Sequence, residues 1–302
     1  MNKHIPLDFV KSEALKLGFQ DCGAAKANLC EHSRLDDWLS KNYNADMAYM
    51  AENYEKRIDV RKLVEGAKTV FSFLISYNNS DTYADNGRIA SYAMGKDYHK
   101  ILKTKLYTLL EIIRTQYPDF EARVFVDTAP ILERQWAVEA GLGWIGKNSC
   151  FVSKRFGNKV FIAELVCNYT SDYSEKQSNA CGNCNKCVES CPNDAIVADG
   201  VIDCRKCVSY QTIENKRSIP SNINLGGYVY GCDICLNACI WNNKAVQCNN
   251  EEFLPTEEMK NLLQKIEART LEKSDFNKAK KTSPIERIKF EKLIDNLNFS
   301  NR

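Results

Sequence analysis

The chain has 302 residues, 44% of them apolar, and a formal net charge of +2, which suits one large domain or two to three modules built around a real core. No apolar run reaches the roughly 18–20 residues that cross a bilayer, and the first residues lack the basic-then-apolar order of a secretory signal, so neither a membrane span nor a signal peptide is expected. Fourteen cysteines in such a chain point to metal binding rather than a disulfide scaffold, and the near-neutral charge neither demands nor excludes a nucleic-acid partner, which needs only a local patch.

Residues 1–65 read as largely helical: Val10, Ala14, Leu15 and Leu17 recur at helical spacing after Pro6, and Gly18 supplies a stop. The run from Val70 to Tyr77 reads as a buried strand. Ile101, Leu102, Leu106, Leu109, Leu110 and Ile113 make an amphipathic helix of residues 98–117, ended by Pro118. Residues 123–126 form a short strand with Asp127 at its C-terminal end, and 130–140 a helix. Residues 149–153 and 160–167 are strand-like, with Gly157-Asn158 in the turn between them. The expectation is an α+β protein. Residues 1–170 would form a mixed α/β domain, 171–250 a cysteine-rich module and 251–302 a charged helical tail. The polar stretch from Thr170 to Ala180 would be the linker.

The cysteine-rich module carries the strongest signal. Cys181-x2-Cys184-x2-Cys187-x3-Cys191-Pro192 is the run of bacterial ferredoxins. Three thiolates grip three irons of one cubane, and the fourth, before proline, points to a second cluster. Zinc usually takes its four ligands as two separated pairs, which this run does not offer. Cys232-x2-Cys235-x3-Cys239 supplies three more thiols. By the same crossed logic Cys239 returns to the first [4Fe–4S] cluster, while Cys232 and Cys235 join Cys191 on the second. Cys204 and Cys207 compete for the last position, and spacing does not decide between them. Cys22, Cys30, Cys150, Cys167 and Cys248 stand alone and read as small buried hydrophobes.

Other motifs are weaker. Gly141-Leu-Gly143-Trp-Ile-Gly146 matches G-x-G-x-x-G, but it follows a helix-like segment, whereas a dinucleotide site needs it after a strand. A glycine-rich loop that lets backbone approach a flat or anionic cofactor remains open. There is no P-loop and no C-x3-C-x2-C run. Asp97-x-His99-x-x-Leu102 resembles the D-x-H-x-x-G signature in which histidine replaces the lower base of cobalamin. Its glycine is missing, so His99 reads as capping or packing a helix start rather than as a metal ligand. Asp127 fits two roles equally. It is a general acid if burial raises its pKa, or the N-cap of the helix that follows.

Taken together, Val126-Asp-Thr-Ala-Pro-Ile-Leu-Glu133, Ala140-Gly-Leu-Gly-Trp-Ile-Gly-Lys-Asn148, the ferredoxin run, Cys207-Val-Ser-Tyr-Gln-Thr-Ile-Glu214 and Gly231-Cys-Asp-Ile-Cys-Leu-Asn-Ala-Cys239 resemble the epoxyqueuosine reductases. Asn53-Tyr-Glu-Lys-Arg57 and Tyr92-Ala-Met-Gly-Lys-Asp-Tyr-His99 resemble that family's N-terminal motifs, so the likeness runs in order from about residue 10 to 295. The resemblance implies a cobalamin enzyme that reduces the epoxide of epoxyqueuosine, at the tRNA wobble position, to the alkene of queuosine. It implies a nitroreductase-like N-terminal domain, cobalamin held between that domain and the ferredoxin-like one, and kinship with reductive dehalogenases.

Carried over by position, Asp127 is the proton donor and, with Arg57, Phe151 and Ile162, lines the corrin site. Ser209, Glu214, Cys232 and Asp233 fall where the ferredoxin half meets cobalamin, and Lys216 where the family contacts tRNA. The resemblance also gives the last ligand position to Cys207. The two [4Fe–4S] clusters would then be held by Cys181, Cys184, Cys187 and Cys239, and by Cys191, Cys207, Cys232 and Cys235. The implied partners are tRNA carrying epoxyqueuosine and a reductase, ferredoxin or flavodoxin as electron donor. No membrane partner is expected, and the protein is expected to be a cytoplasmic monomer. Many members continue into a helical-repeat domain, so a chain ending at Arg302 reads as a short form. Lys278-Ala-Lys-Lys281 and Arg287 are candidates for phosphate contacts, although Glu272, Asp275 and Glu286 beside them suit an ordinary solvated helix face. The rival readings are a dehalogenase-like reductase, which predicts a closed apolar pocket, and an electron carrier with no substrate, which leaves the first domain unexplained.

Overall fold

A computed structural model describes residues 3–81, 83, 86–247 and 250–300. Cys248 lies outside them. The first half contains α1 (Leu7–Lys16), β1 (Asp21–Lys26), α2 (Ser33–Ser40), α3 (Tyr54–Ile58), β2 (Thr69–Ser76), α4 (Tyr98–Gln116), β3 (Ala122–Phe125), α5 (Glu133–Glu139), β4 (Trp144–Ile145), β5 (Phe151–Val152) and β6 (Val160–Cys167). Strand β2 carries no charge and is buried at every position, which only an interior strand covered on both faces achieves. It lies between β1 and β6 in an antiparallel sheet of order β1-β2-β6-β3.

Alternation along the strands sends side chains to opposite faces. Phe71, Phe73 and Ile75 of β2 pack with Val10 and Ala14 of α1 and with Leu102, Leu106, Leu109 and Ile113 of α4. Val70 and Leu74 pack on the other face with Trp136 and Ala137 of α5. Strand β1 was hidden in a stretch expected to be helical. Its sequence, Asp-Cys-Gly-Ala-Ala-Lys, lacks the β-branched and aromatic residues that usually mark strands. Small residues are required there, because a Cβ on Gly23 would lie 2.0 Å from the carbonyl oxygen of Ala140.

Two details depart from expectation. The helix expected from residue 130 begins at Glu133, and β5 pairs with β4 rather than with β6. The stretch expected as a linker is fixed at its start: the Thr170 amide donates to Lys3, the Ser171 hydroxyl to Ile5, and the Ser174 amide to Ala24.

The cysteine-rich part contains α6 (Lys186–Glu189), β7 (Ile196–Ala198), β8 (Val201–Ile202), α7 (Val208–Ile213) and α8 (Ile234–Asn237). Three further helices follow, α9 (Glu257–Glu267), α10 (Lys273–Ala279) and α11 (Phe290–Ser300). They do not trail away. Met259, Leu262, Ile266, Phe276 and Leu293 share one buried cluster with Ile89, Met94, Val229 and Tyr230, and Asn296 donates to the carbonyls of Thr212 and Val229. Among the described residues no helix is long and apolar enough to cross a membrane.

Candidate active site

All thirteen described cysteines are free thiols. The thiols of the cysteine-rich part fall into two groups. Cys187 is within Coulombic reach of Cys239 and Cys181, and Cys239 of Cys181 and Cys184. Cys235 is within reach of Cys150, Cys207, Cys232 and Cys191, and Cys232 of Cys207 and Cys191; Cys150, expected to stand alone, also reaches Cys207 and Cys239. Cys204 has Cys207 as its thiol neighbour, and then faces Asp203, Arg134 and Glu214. Among the described residues no three His, Cys, Asp or Glu side chains converge on one point as a single-ion site would require. Cubane ligands need not converge so, since each thiolate binds a different iron at a different corner. A donor set made of thiols alone suits such clusters.

Asp127 follows β3 with a left-handed φ of 58°. Its carboxylate meets Nε2 of His99 at 3.0 Å, and Nδ1 of His99 meets Asp97 at 2.7 Å. Asp97 also caps α4 by accepting the His99 amide. The Tyr98 ring stacks on those of His99 and Phe161, at 4.0 and 4.2 Å, and burial and then the charge of Asp127 push its hydroxyl well above the usual tyrosine range. On the other side the Asp127 amide donates to Glu133. Asp127 is not the cap of α5, whose N-terminal flanking residue is Leu132.

The ionisation states follow from these contacts. Burial pushes the Asp127 carboxyl up, but the hydrogen bond and charge of His99 outweigh it and hold it below the usual range. Burial pulls His99 down, yet its bonds to Asp127 and Asp97 dominate and push it up to about 9. At neutral pH the proton therefore sits on His99 and Asp127 is ionised. An acid raised by burial, one of the two expectations for Asp127, is not what the surroundings produce. Its side chain is 56% accessible, so the carboxylate is open to solvent on one side.

Behind Asp127 lie two further carboxyls. Glu164 of β6 is wholly buried, and neither of its oxygens has a hydrogen-bond partner within 3.5 Å. Burial and then the charge of Glu133 push it well above the usual range, while burial and then Asp127 push Glu133 up as well. Two carboxyls in one dry place cannot both ionise, so the pair retains a proton.

Tyr49 connects this corner to the cysteine-rich half. It is within Coulombic reach of Glu214, Arg287, Asp127 and Cys204. Arg287 of the C-terminal part pairs with Glu214 at 3.0 Å. Arg57 is buried. Its Nη2 donates to the Tyr49 carbonyl at 2.9 Å, but its Nε has no partner. A buried guanidinium N–H left unpaired is costly, so Arg57 calls for a polar group from a ligand. The acetamide and phosphate groups of a cobalamin would meet that need.

Of the other expected residues, Asp233 is buried and accepts the Ser91 amide at 2.6 Å. Ser209 on α7 and Cys232 are half-buried, and Lys216 beyond α7 is exposed. Phe151 is buried in the core beneath α5, and Ile162 packs half-buried against that core. Sequence reasoning missed the partnership of His99 with Asp127, the Glu133–Glu164 pair, and Arg134, whose charge reaches both Asp127 and Cys204. One signal was visible: Glu164 interrupts the otherwise apolar run of residues 160–167.

Thiols clustered around a ferredoxin run, beside this acid corner, mark an iron–sulfur oxidoreductase. The profile described as a 4Fe-4S double cluster binding domain matches residues 180–242, and that of Epoxyqueuosine reductase QueG, DUF1730, matches residues 57–128. An epoxyqueuosine reductase of Cyclobacterium marinum is 43% identical over 99% of this chain and 97% of its own length. The chain belongs to the epoxyqueuosine reductase family. The solved epoxyqueuosine reductase of Streptococcus thermophilus is 25% identical, with 97% of this chain and 80% of that one aligned at a TM-score of 0.83. Another epoxyqueuosine reductase, solved with an epoxyqueuosine-modified tRNA-Tyr stem loop, shares the fold at 24% identity, the same coverage and a TM-score of 0.84.

Proposed function

We propose that this chain reduces epoxyqueuosine at the wobble position of tRNA to queuosine, with the Asp97–His99–Asp127 chain supplying the proton to the departing oxygen. The overall change consumes two electrons and two protons, converting the epoxide to an alkene and water. The observation that carries the reading is the Asp97–His99–Asp127 chain itself, set through Tyr49 within reach of Glu214 and the cysteine-rich half.

Cobalamin, when bound, supplies low-valent cobalt as the reductant, fed one electron at a time by the two clusters. The chain's own residues do the rest. Arg57 holds a polar group of the cofactor with its unpaired Nε. Phe151 and Ile162 back the cofactor from the first domain, which we assign to the nitroreductase-like class. Ser209, Glu214, Cys232 and Asp233 face it from the ferredoxin-like side. Asp127 keeps its carboxylate against His99 and passes to the substrate oxygen the proton kept on that imidazole. The first cluster takes Cys181, Cys184, Cys187 and Cys239, and the second takes Cys191, Cys207, Cys232 and Cys235, with Cys204 spare.

An acid whose side chain is 56% accessible, with the charged pair of Arg287 and Glu214 nearby, suits a large polar substrate better than the closed apolar pocket of a dehalogenase. Exposed Lys216 offers a phosphate contact. We place the functional division near residues 170 and 250, with a ferredoxin or flavodoxin as electron donor to a cytoplasmic monomer. The nucleoside profile of tRNA from a strain lacking the gene tests the reading: epoxyqueuosine should accumulate at the expense of queuosine. An unchanged queuosine level would overturn it.

A further inference from the structure

The glycine-rich loop of residues 141–148 is not a dinucleotide site, and the structure gives it different work. It is the seam between the sheet domain and both groups of thiols. Gln177 donates to the Gly141 carbonyl at 2.7 Å, and Asn179 to that of Ile145 at 3.3 Å, while the side chain of Asn179 accepts the amide of Cys181. Lys147 donates to Asn185 at 2.8 Å and Asn148 to the carbonyl of Cys235 at 3.2 Å. A Cβ on Gly143 would lie 2.1 Å from the Val152 carbonyl oxygen, so only glycine lets the loop turn this tightly. That turn drives Trp144 inward. The ring is 3% exposed, stands edge-on to Trp241 with centroids 5.0 Å apart, and aims its Nε1 at the sulfur of Cys181, 3.4 Å away.

We infer that Trp144 tunes electron entry, its indole N–H stabilising the reduced form of the cluster held by Cys181, Cys184, Cys187 and Cys239. This inference rests on the double-cluster reading above. One electron from a low-potential ferredoxin- or flavodoxin-type donor adds one negative charge to the cluster, shared with its sulfurs. A donor N–H directed at a ligand sulfur favours that more negative state and raises the reduction potential. This cluster is the outer of the two. The second group of thiols contains Cys207, the neighbour of Cys204, and Cys204 in turn lies within reach of Tyr49, itself within reach of Asp127. In that second group the backbone amide of Ala195 donates to the Cys191 sulfur at 3.3 Å, a contact intrinsic to the ferredoxin run. The bond to Cys181 comes instead from a side chain of the other half, and therefore can be removed alone.

The test is a redox titration of the cluster-replete enzyme followed by electron paramagnetic resonance, comparing wild type with Trp144→Phe, which keeps the aromatic packing but not the N–H. Both should carry about eight irons. In the variant one cluster should become about tenfold harder to reduce, equivalent to 59 mV for a one-electron couple, while the other keeps its potential. Trp241→Phe should shift neither, because the Trp241 Nε1 has no partner. Unchanged potentials in an iron-replete Trp144→Phe protein would overturn the inference. If that variant does not retain its iron, wild-type protein labelled with 15N-indole tryptophan decides. Nitrogen coupling to a reduced cluster supports the bond, and its absence overturns it. A wild-type chain that holds no iron would instead defeat the double-cluster reading itself.

Discussion

The thiol-bearing half and the acid corner around Asp127 are built in opposite ways. Seven of the eight proposed cluster ligands lie in two short runs, residues 181–191 and 232–239, because a rigid inorganic cube needs thiolates at fixed local spacing. The acid corner draws Arg57, His99, Asp127, Glu164, Glu214 and Arg287 from across the chain. A proton chain needs only hydrogen-bond distance, which the fold supplies without any fixed spacing. A metal site can thus be read along the chain, whereas an acid–base site appears only when the sheet and helices are assembled.

The sharpest way to break this contrast lies at the eighth ligand, the one position that spacing leaves open. Cys207→Ala should lose or damage one cluster, with iron falling toward about half of the eight atoms that two cubanes hold, and activity should vanish. Cys204→Ala should keep both clusters. The reverse result, read by iron analysis, would exchange the two residues.

At the acid corner, Asp127→Asn keeps shape and hydrogen bonding but cannot pass a proton. It should fold, retain both clusters and slow turnover by roughly 10²–10⁴. Near-normal turnover in a cluster-replete variant would remove Asp127 from the chemistry. Arg57→Met should weaken cobalamin binding by roughly 10–100-fold, as expected for losing a hydrogen bond to a charged group, with iron content unchanged. Equal affinity would mean that its unpaired Nε serves something else.

The His99–Asp127 bond also sets a pH dependence. His99 is raised in the folded chain to about 9 from an ordinary value near 6.5. Its contribution to stability is fully present below about pH 6.5 and is lost as pH rises through about 9. Denaturant unfolding should therefore show stability falling across that window, and His99→Gln should flatten the slope. The smallest effect is expected at Glu164. Since burial and Glu133 keep it protonated, the neutral amide of Glu164→Gln should not destabilise the protein at pH 8. A loss of several kcal/mol would show that the carboxylate is ionised and paired.

What could be read in advance follows the same division. Strand β2, helix α4 and the ferredoxin run were legible because each has a strong local pattern: continuous burial, helical spacing, or fixed thiol gaps. Strand β1 was not, since close contact with α5 demands small residues that carry no strand signal. Asp127 was legible as a carboxylate at a strand end. Its ionisation was not, because that depends on His99, 28 positions away. The tryptophan within the glycine-rich loop gave no hint of Cys181, 37 positions on, until the seam between the two halves was in view.

The central claim is tested most directly by incubating the cluster- and cobalamin-loaded chain, under a strong one-electron reductant, with tRNA carrying epoxyqueuosine, and then digesting the tRNA to nucleosides. Loss of epoxyqueuosine matched by an equal gain of queuosine, at two electrons per conversion, is the predicted result. Intact epoxyqueuosine after incubation with fully loaded enzyme would contradict it.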